Sequence, residues 1–122
     1  MPVLQLQSAG EWVRAKLGFD PDATQGRLLD TRSKRVLLNC TRQWGKSTTT
    51  AAKAVHHAYT QPESLTLVVS PSARQSGEFV RKAEEFVSRM GIKVRGDGTN
   101  EISIAFPNQS RIVGLPHNEA TV

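Results

Sequence analysis

Three residues, Gly45-Lys46-Ser47, constrain this chain more than any others. They follow a short apolar run, Val36-Leu37-Leu38-Asn39, and precede a threonine- and alanine-rich stretch that reads as a helix. Strand, tight loop, Gly-Lys-Ser and helix is the layout of a phosphate-binding P-loop. The usual spacing opens with a glycine, then four residues, then Gly-Lys-Ser/Thr. Here Cys40 stands where the first glycine would be. An ordinary βα turn can carry the same triplet by chance, so the rest of the chain has to be read alongside it.

Each residue type answers to the chemistry. Glycine at 45 lets the backbone come close to a phosphate, because it has no Cβ and tolerates positive φ. The first amides of the following helix are unpaired and point at the anion, with the helix dipole in support. Lys46 would place its charge on the β- and γ-phosphates, and Ser47 would offer its hydroxyl to Mg²⁺. Thr41, Gln43 and Thr48 complete the nucleotide-binding set around the turn.

The chain has 122 residues, enough for one small domain. Its net charge of +5, from 16 basic and 11 acidic side chains, leans toward an anionic partner, nucleotide or nucleic acid. A mildly basic soluble protein would show the same balance. A single cysteine excludes an internal disulfide framework and fits a reducing cytoplasm. No apolar run approaches a membrane span, and no basic-then-apolar signal opens the chain, so no membrane partner is expected.

In chain order, residues 8–17 read as a helix with Ser8 and Glu11 as a capping box and Gly18 at its end. Trp12, Val13 and Leu17 share its apolar side. Asp20 and Pro21 are placed to start a second helix, with Leu28 and Leu29 facing inward. Thr31–Arg35 is a basic connector. The apolar run 36–39 reads as a first buried strand, and residues from Ser47 to about Tyr59 as a helix with a slim alanine surface. Leu65–Val69 reads as a second buried strand, ending in the polar loop Ser70-Pro71-Ser72-Ala73-Arg74-Gln75-Ser76. Open α/β sheets put their ligands at such carboxyl ends. Residues 77–90 form the clearest amphipathic helix, with Glu85 and Arg89 as an i,i+4 pair and Gly91 at its end. Residues 102–106 and 111–115 alternate as two half-buried strands of a hairpin around Pro107-Asn108-Gln109-Ser110. Cys40, His56, His57 and His117 have no metal-ligand spacing.

The loop Arg42-Gln43-Trp44-Gly45-Lys46-Ser47, with its non-glycine first position, resembles the P-loop variant of large terminase subunits of tailed bacteriophages. These are ATP-driven motors that package double-stranded DNA into the capsid. Val68-Val69-Ser70-Pro71-Ser72 with Gln75-Ser76 is similar to the family's second motif. The turn at 107–110 and the stretch Arg111-Ile112-Val113-Gly114-Leu115-Pro116 resemble its later strand pair. The resemblance covers roughly residues 19–122, with 1–18 as a separate N-terminal helical segment.

It implies an α/β fold of the P-loop NTPase type, helicase- or terminase-like, with a partial parallel sheet, flanking helices, a C-terminal β-hairpin and a truncated domain. It implies ATP and Mg²⁺ as cofactors, and double-stranded DNA, a small terminase subunit and a portal protein as partners, in the cytoplasm of a bacterial host. Gln25, in a Pro-x-x-x-Gln segment, becomes the adenine contact, its amide able to donate and accept. Arg42 becomes an arginine finger in cis to the γ-phosphate, catalytic with Lys46. Arg74, Gln75 and Ser76 become contacts that couple nucleotide state to DNA.

The family continues with an apolar strand ending in Asp-Glu that holds Mg²⁺ and orients the attacking water. These 122 residues contain no such strand; their one adjacent acidic pair, Glu84-Glu85, falls mid-helix. The expectation is nucleotide binding with very slow hydrolysis, and a gap in the sheet that leaves the fragment marginal or dependent on a partner. A remnant with weak nucleotide or DNA binding, and a helicase or small P-loop kinase, are the other readings.

Overall fold

The computed structural model describes residues 8–32, 46–93, 95, 96, 98 and 102–116. In chain order these form α1 (Ala9–Leu17), α2 (Ala23–Asp30), α3 (Lys46–Thr60), β1 (Leu65–Ser70), α4 (Ala73–Arg89), β2 (Ser103–Ala105) and β3 (Arg111–Pro116). The architecture is the mixed α/β one expected: a small, partly parallel sheet with helices packed against it. The run 36–39, expected as the first strand, lies outside the described residues.

Local capping chemistry sets the helix starts. At α1 the Ser8 backbone amide donates to Glu11 Oε1 at 3.0 Å, and the Glu11 amide donates to Ser8 Oγ at 3.1 Å. Gly18 ends the helix with φ of 68°. The start expected at Asp20 is corrected: Asp22 is the N-cap of α2, and its Oδ1 accepts from the Gln25 amide at 2.8 Å. The reason lies in the spacing. Three residues beyond Asp22 stands Gln25, which can reach back; three beyond Asp20 stands Ala23, which cannot. Asp20 instead pairs with Arg14 Nε at 2.9 Å. Ser72 caps α4, which begins at Ala73 rather than Gly77.

The sheet order is β1-β3-β2. β1 and β3 run parallel, with Leu65 opposite Arg111 and Val69 opposite Leu115. β2 and β3 form the expected hairpin, Ile104 opposite Ile112. Val13, Leu17, Leu29, Val55, Val87, Ile104 and Ile112 are fully or almost fully buried between the helices and one sheet face. Gly114 sits under Ile102 and under Ser76 of α4: a Cβ there would lie 2.8 Å from Ile102 Cγ2 and 3.1 Å from Ser76 Cβ.

The hairpin turn also closes the far end of α3. Asn108 Nδ2 donates to the carbonyls of Ala58 at 2.9 Å and Tyr59 at 3.1 Å, and Ser110 Oγ donates to Gln61 O at 2.7 Å. Two further expectations are corrected. Arg89 does not serve Glu85; its Nη1 donates to Leu17 O at 2.9 Å, closing the end of α1, and its guanidinium lies over Phe86. And β1 is not a buried strand: its burial alternates between exposed and half-buried. Leu65, Leu67 and Val69 remain 50%, 53% and 66% exposed, and Leu115 beside them 40%. An apolar run reports only that a strand seeks cover, not that the chain provides it on both sides.

Candidate functional site

α3 begins at Lys46, immediately after the Gly45 at which the phosphate-loop reading places its turn. Ser47 and Thr48 therefore lie in its first turn, where backbone amides have no carbonyl one turn earlier to pair with. Ser47 is exposed and Thr48 half-buried, while Thr49 is fully buried and anchors the turn to the core. Thr50 Oγ1 donates to Ser47 O at 3.2 Å. Thr41, Arg42, Gln43 and Gly45 lie outside the described residues, as does the Lys46 side chain.

Two other segments return to this end of the molecule. α3 spans 15 residues, about 22 Å at helical rise. The chain reverses at 61–64 and β1 carries it back, so the loop after Ser70 and the start of α4 come toward the end where α3 begins. Of the three residues expected there, Arg74 has its side chain 87% exposed and its Nε 3.6 Å from Glu78 Oε2. Gln75 is exposed and donates its amide to the Ser72 cap. Ser76 is fully buried. Its hydroxyl meets that of Ser70, whose own proton goes to Ser72 O at 2.7 Å, so Ser76 is the donor to Ser70. Ser76 thus ties α4 to the end of β1 and has no open surface for direct contact with DNA.

Gln25 is buried on α2, and its Oε1 accepts from the Asp22 amide at 2.9 Å. The side chain has a structural task at the helix start, which the reading of an adenine contact did not foresee. α2 is in turn held to α3 by Lys53, whose Nζ donates to Leu29 O at 3.0 Å.

Around Lys53 lies a feature that the sequence did not announce. A cleft of about 1440 Å³ is lined by the end of α2, one side of α3 and the middle of β1. Burial holds the Lys53 amine below its ordinary range, partly offset by the Asp30 carboxylate. Burial also lowers the His56 imidazole, with the charges of Lys53 and His57 acting the same way and Asp30 opposing. The His56 ring stands edge-on to Trp12, centroids 5.0 Å apart. The available signal was a lysine and two histidines on an otherwise alanine-rich helix. Among the described residues no group of three His, Cys, Asp or Glu side chains could hold a metal ion, and no helix is long and apolar enough to cross a membrane.

No protein-family model matches the chain, and no curated protein matches its sequence. Its fold is similar to that of a solved structure, the large terminase ATPase domain of Thermus phage P74-26 in a mutant form. The TM-score is 0.75 over 89% of this chain, at 19% sequence identity. The chain spans about half of that structure, 51% of its length. At this identity the likeness is one of fold: the helices and the three-stranded sheet described above form part of a terminase ATPase architecture.

Proposed function

We propose that this chain is the ATP-binding front part of a terminase-like motor ATPase of a phage or prophage. One observation carries the reading: α3 starts at Lys46, directly behind Gly45, in a fold that matches a terminase ATPase domain with a TM-score of 0.75. A glycine followed by a helix start is what brings backbone amides and a lysine onto one phosphate group.

In this reading Lys46 and the amides of the first turn take the β- and γ-phosphates, with Thr41, Gln43, Gly45 and Thr48 shaping the cradle. Ser47 gives a hydroxyl to Mg²⁺, and Arg42 approaches the γ-phosphate as charge develops on it. Gln25, at the start of α2, borders the adenine. Arg74 and Gln75 face a DNA duplex, and Ser76 couples their helix to β1. The motor packages double-stranded DNA in a bacterial cytoplasm, working with a small terminase subunit and a portal protein. Phosphoryl transfer is mostly positioning and electrostatics, so it needs both halves of the phosphate–Mg²⁺ cradle. Lys46 and Ser47 supply one half of that cradle.

Trp44, inside the proposed loop, is the natural reporter. Titrating Mg-ATP should change its fluorescence saturably in the wild type and not in Lys46→Ala, with Trp44→Phe reporting the background of Trp12, which is buried against His56 and Tyr59. A flat titration with folded protein would overturn nucleotide binding and leave the remnant reading.

A further inference from the structure

We propose that Lys53 is a positioning residue of the nucleotide site: it pins the end of α2 to the face of α3 that begins at Lys46, and so fixes where Gln25 stands relative to the phosphate end. The proposal rests on the nucleotide reading above and adds to it the tie between the base side and the phosphate side.

The need for a tie follows from the length of α2. With eight residues it is shorter than the ~12–15 at which isolated helices become stable, so its place is set by what holds it. Leu28 and Leu29 bury its apolar side. Apolar burial is non-directional and does not fix how a helix of two turns slides or rotates. Direction comes from hydrogen bonds. At the start of α2 these are internal, between Asp22 and Gln25. At its end they come from two other helices. Lys53 Nζ of α3 donates to Leu29 O at 3.0 Å, and the Gly10 amide of α1 donates to Asp30 Oδ1 at 2.8 Å.

Charge explains why a lysine stands there. α2 ends in Asp30, a carboxylate at the negative end of its own helix dipole. Gly10 lies in the first turn of α1, where amides lack a partner within the helix and the dipole is positive. Lys53 brings a cation to the same place. It is the one charged residue between Ser47 and Val55, and it is half-buried. Burial lowers its amine, and the Asp30 carboxylate acts in the opposite sense.

The spacing connects this tie to the site. Lys46, Thr50, Lys53 and His57 recur at i, i+4, i+7 and i+11, which places them along one face of α3. Lys53 is two turns, about 10 Å, from Lys46. Leu29, whose carbonyl it holds, is one turn beyond Gln25 on α2, and both are buried. The path from the phosphate end to Gln25 thus runs down one face of α3, across a single hydrogen bond and back along one turn of α2. A residue so placed acts on the bound base by fixing the position of another contact, without touching the nucleotide.

The experiment compares Mg-ATP with Mg-tripolyphosphate, which has the phosphates and no base, by Trp44 fluorescence. Lys53→Met should weaken ATP about tenfold and leave tripolyphosphate within about twofold. Lys53→Arg, which keeps a donor, should restore ATP. Where Lys53→Met does not fold, Lys53→Gln carries the same expectation. Gln25→Ala should lose ATP selectively, and Lys53→Met should add little in that background, as expected of two residues acting through one contact. Equal weakening of both ligands, which a purely structural lysine would give, overturns the proposal. So does an unchanged ATP affinity, or full additivity with Gln25→Ala. In each of those outcomes the wild type still binds both ligands and the nucleotide reading stands. A folded wild type that binds neither overturns the nucleotide reading, and this proposal falls with it.

Discussion

At the scale of single residues, the sharpest constraint is the absence of a side chain at 114. Ser76 and Ile102 close over Gly114 so tightly that a methyl group would overlap the latter. Gly114→Ala should cost about 1–3 kcal/mol, the usual penalty of overpacking a filled site. Urea unfolding should show a lower midpoint at unchanged slope, and an Ile102→Ala background should shrink the difference. The sequence showed a glycine in a strand, a general hint of close approach. It did not show that Ile102 and Ser76 are what approach, because both lie outside the strand. The same limit applies to Gln25 and Ser76. Both were legible as polar residues in promising segments, but their hydrogen bonds to Asp22 and Ser70 give them structural tasks that a list of functional residues does not suggest.

At the scale of elements, what was legible was local. The capping box of α1, the amphipathic stripe of α4 and the alternation of β2 and β3 are all written within a few consecutive residues. So was the helix behind Gly45, which starts within one residue of its expected place. The misplaced start of α2 was legible too, had the Asp22–Gln25 spacing been preferred to the Asp20-Pro21 pair. What could not be read were the caps supplied from a distance: Arg89 on α1 and Asn108 on α3. For Asn108 the consequence can be tested. Asn108→Ala removes two donors from the last carbonyls of α3 and should destabilise by about 1–2 kcal/mol. Thermal unfolding followed at the far-ultraviolet helix band should show it, and Asn108→Asp, which keeps the acceptor for Ser110 but loses the donors, should not rescue.

At the scale of the whole molecule, the half-buried His56 links acidity to folding. Its pKa is lowered in the folded state, by burial first and then by Lys53 and His57, against the pull of Asp30. The unfolded chain therefore takes the proton more readily. This contribution to stability is intact above the ordinary histidine value of about 6.5 and is lost as pH falls from there through the lowered folded value. Melting temperature should drop between neutral and mildly acidic buffer, and His56→Gln should flatten that slope. Glu11, lowered by its hydrogen bonds to Ser8, acts in a separate window below the ordinary carboxylate value. The cleft at which His56 sits was invisible in the sequence for a further reason. It is a gap between elements, and a gap has no residues of its own to read.

The clasp of Asn108 on Ala58 also has a consequence in time. The two residues stand 50 positions apart. A ribosome adding about 5–20 residues per second needs roughly 3–10 seconds to cover that distance. For that interval a newborn α3 has its last turn open, and the helix behind Gly-Lys-Ser is finished only when the hairpin turn has been made. In this protein, completion of the helix that starts at Lys46 is scheduled by the synthesis of a turn half the chain away.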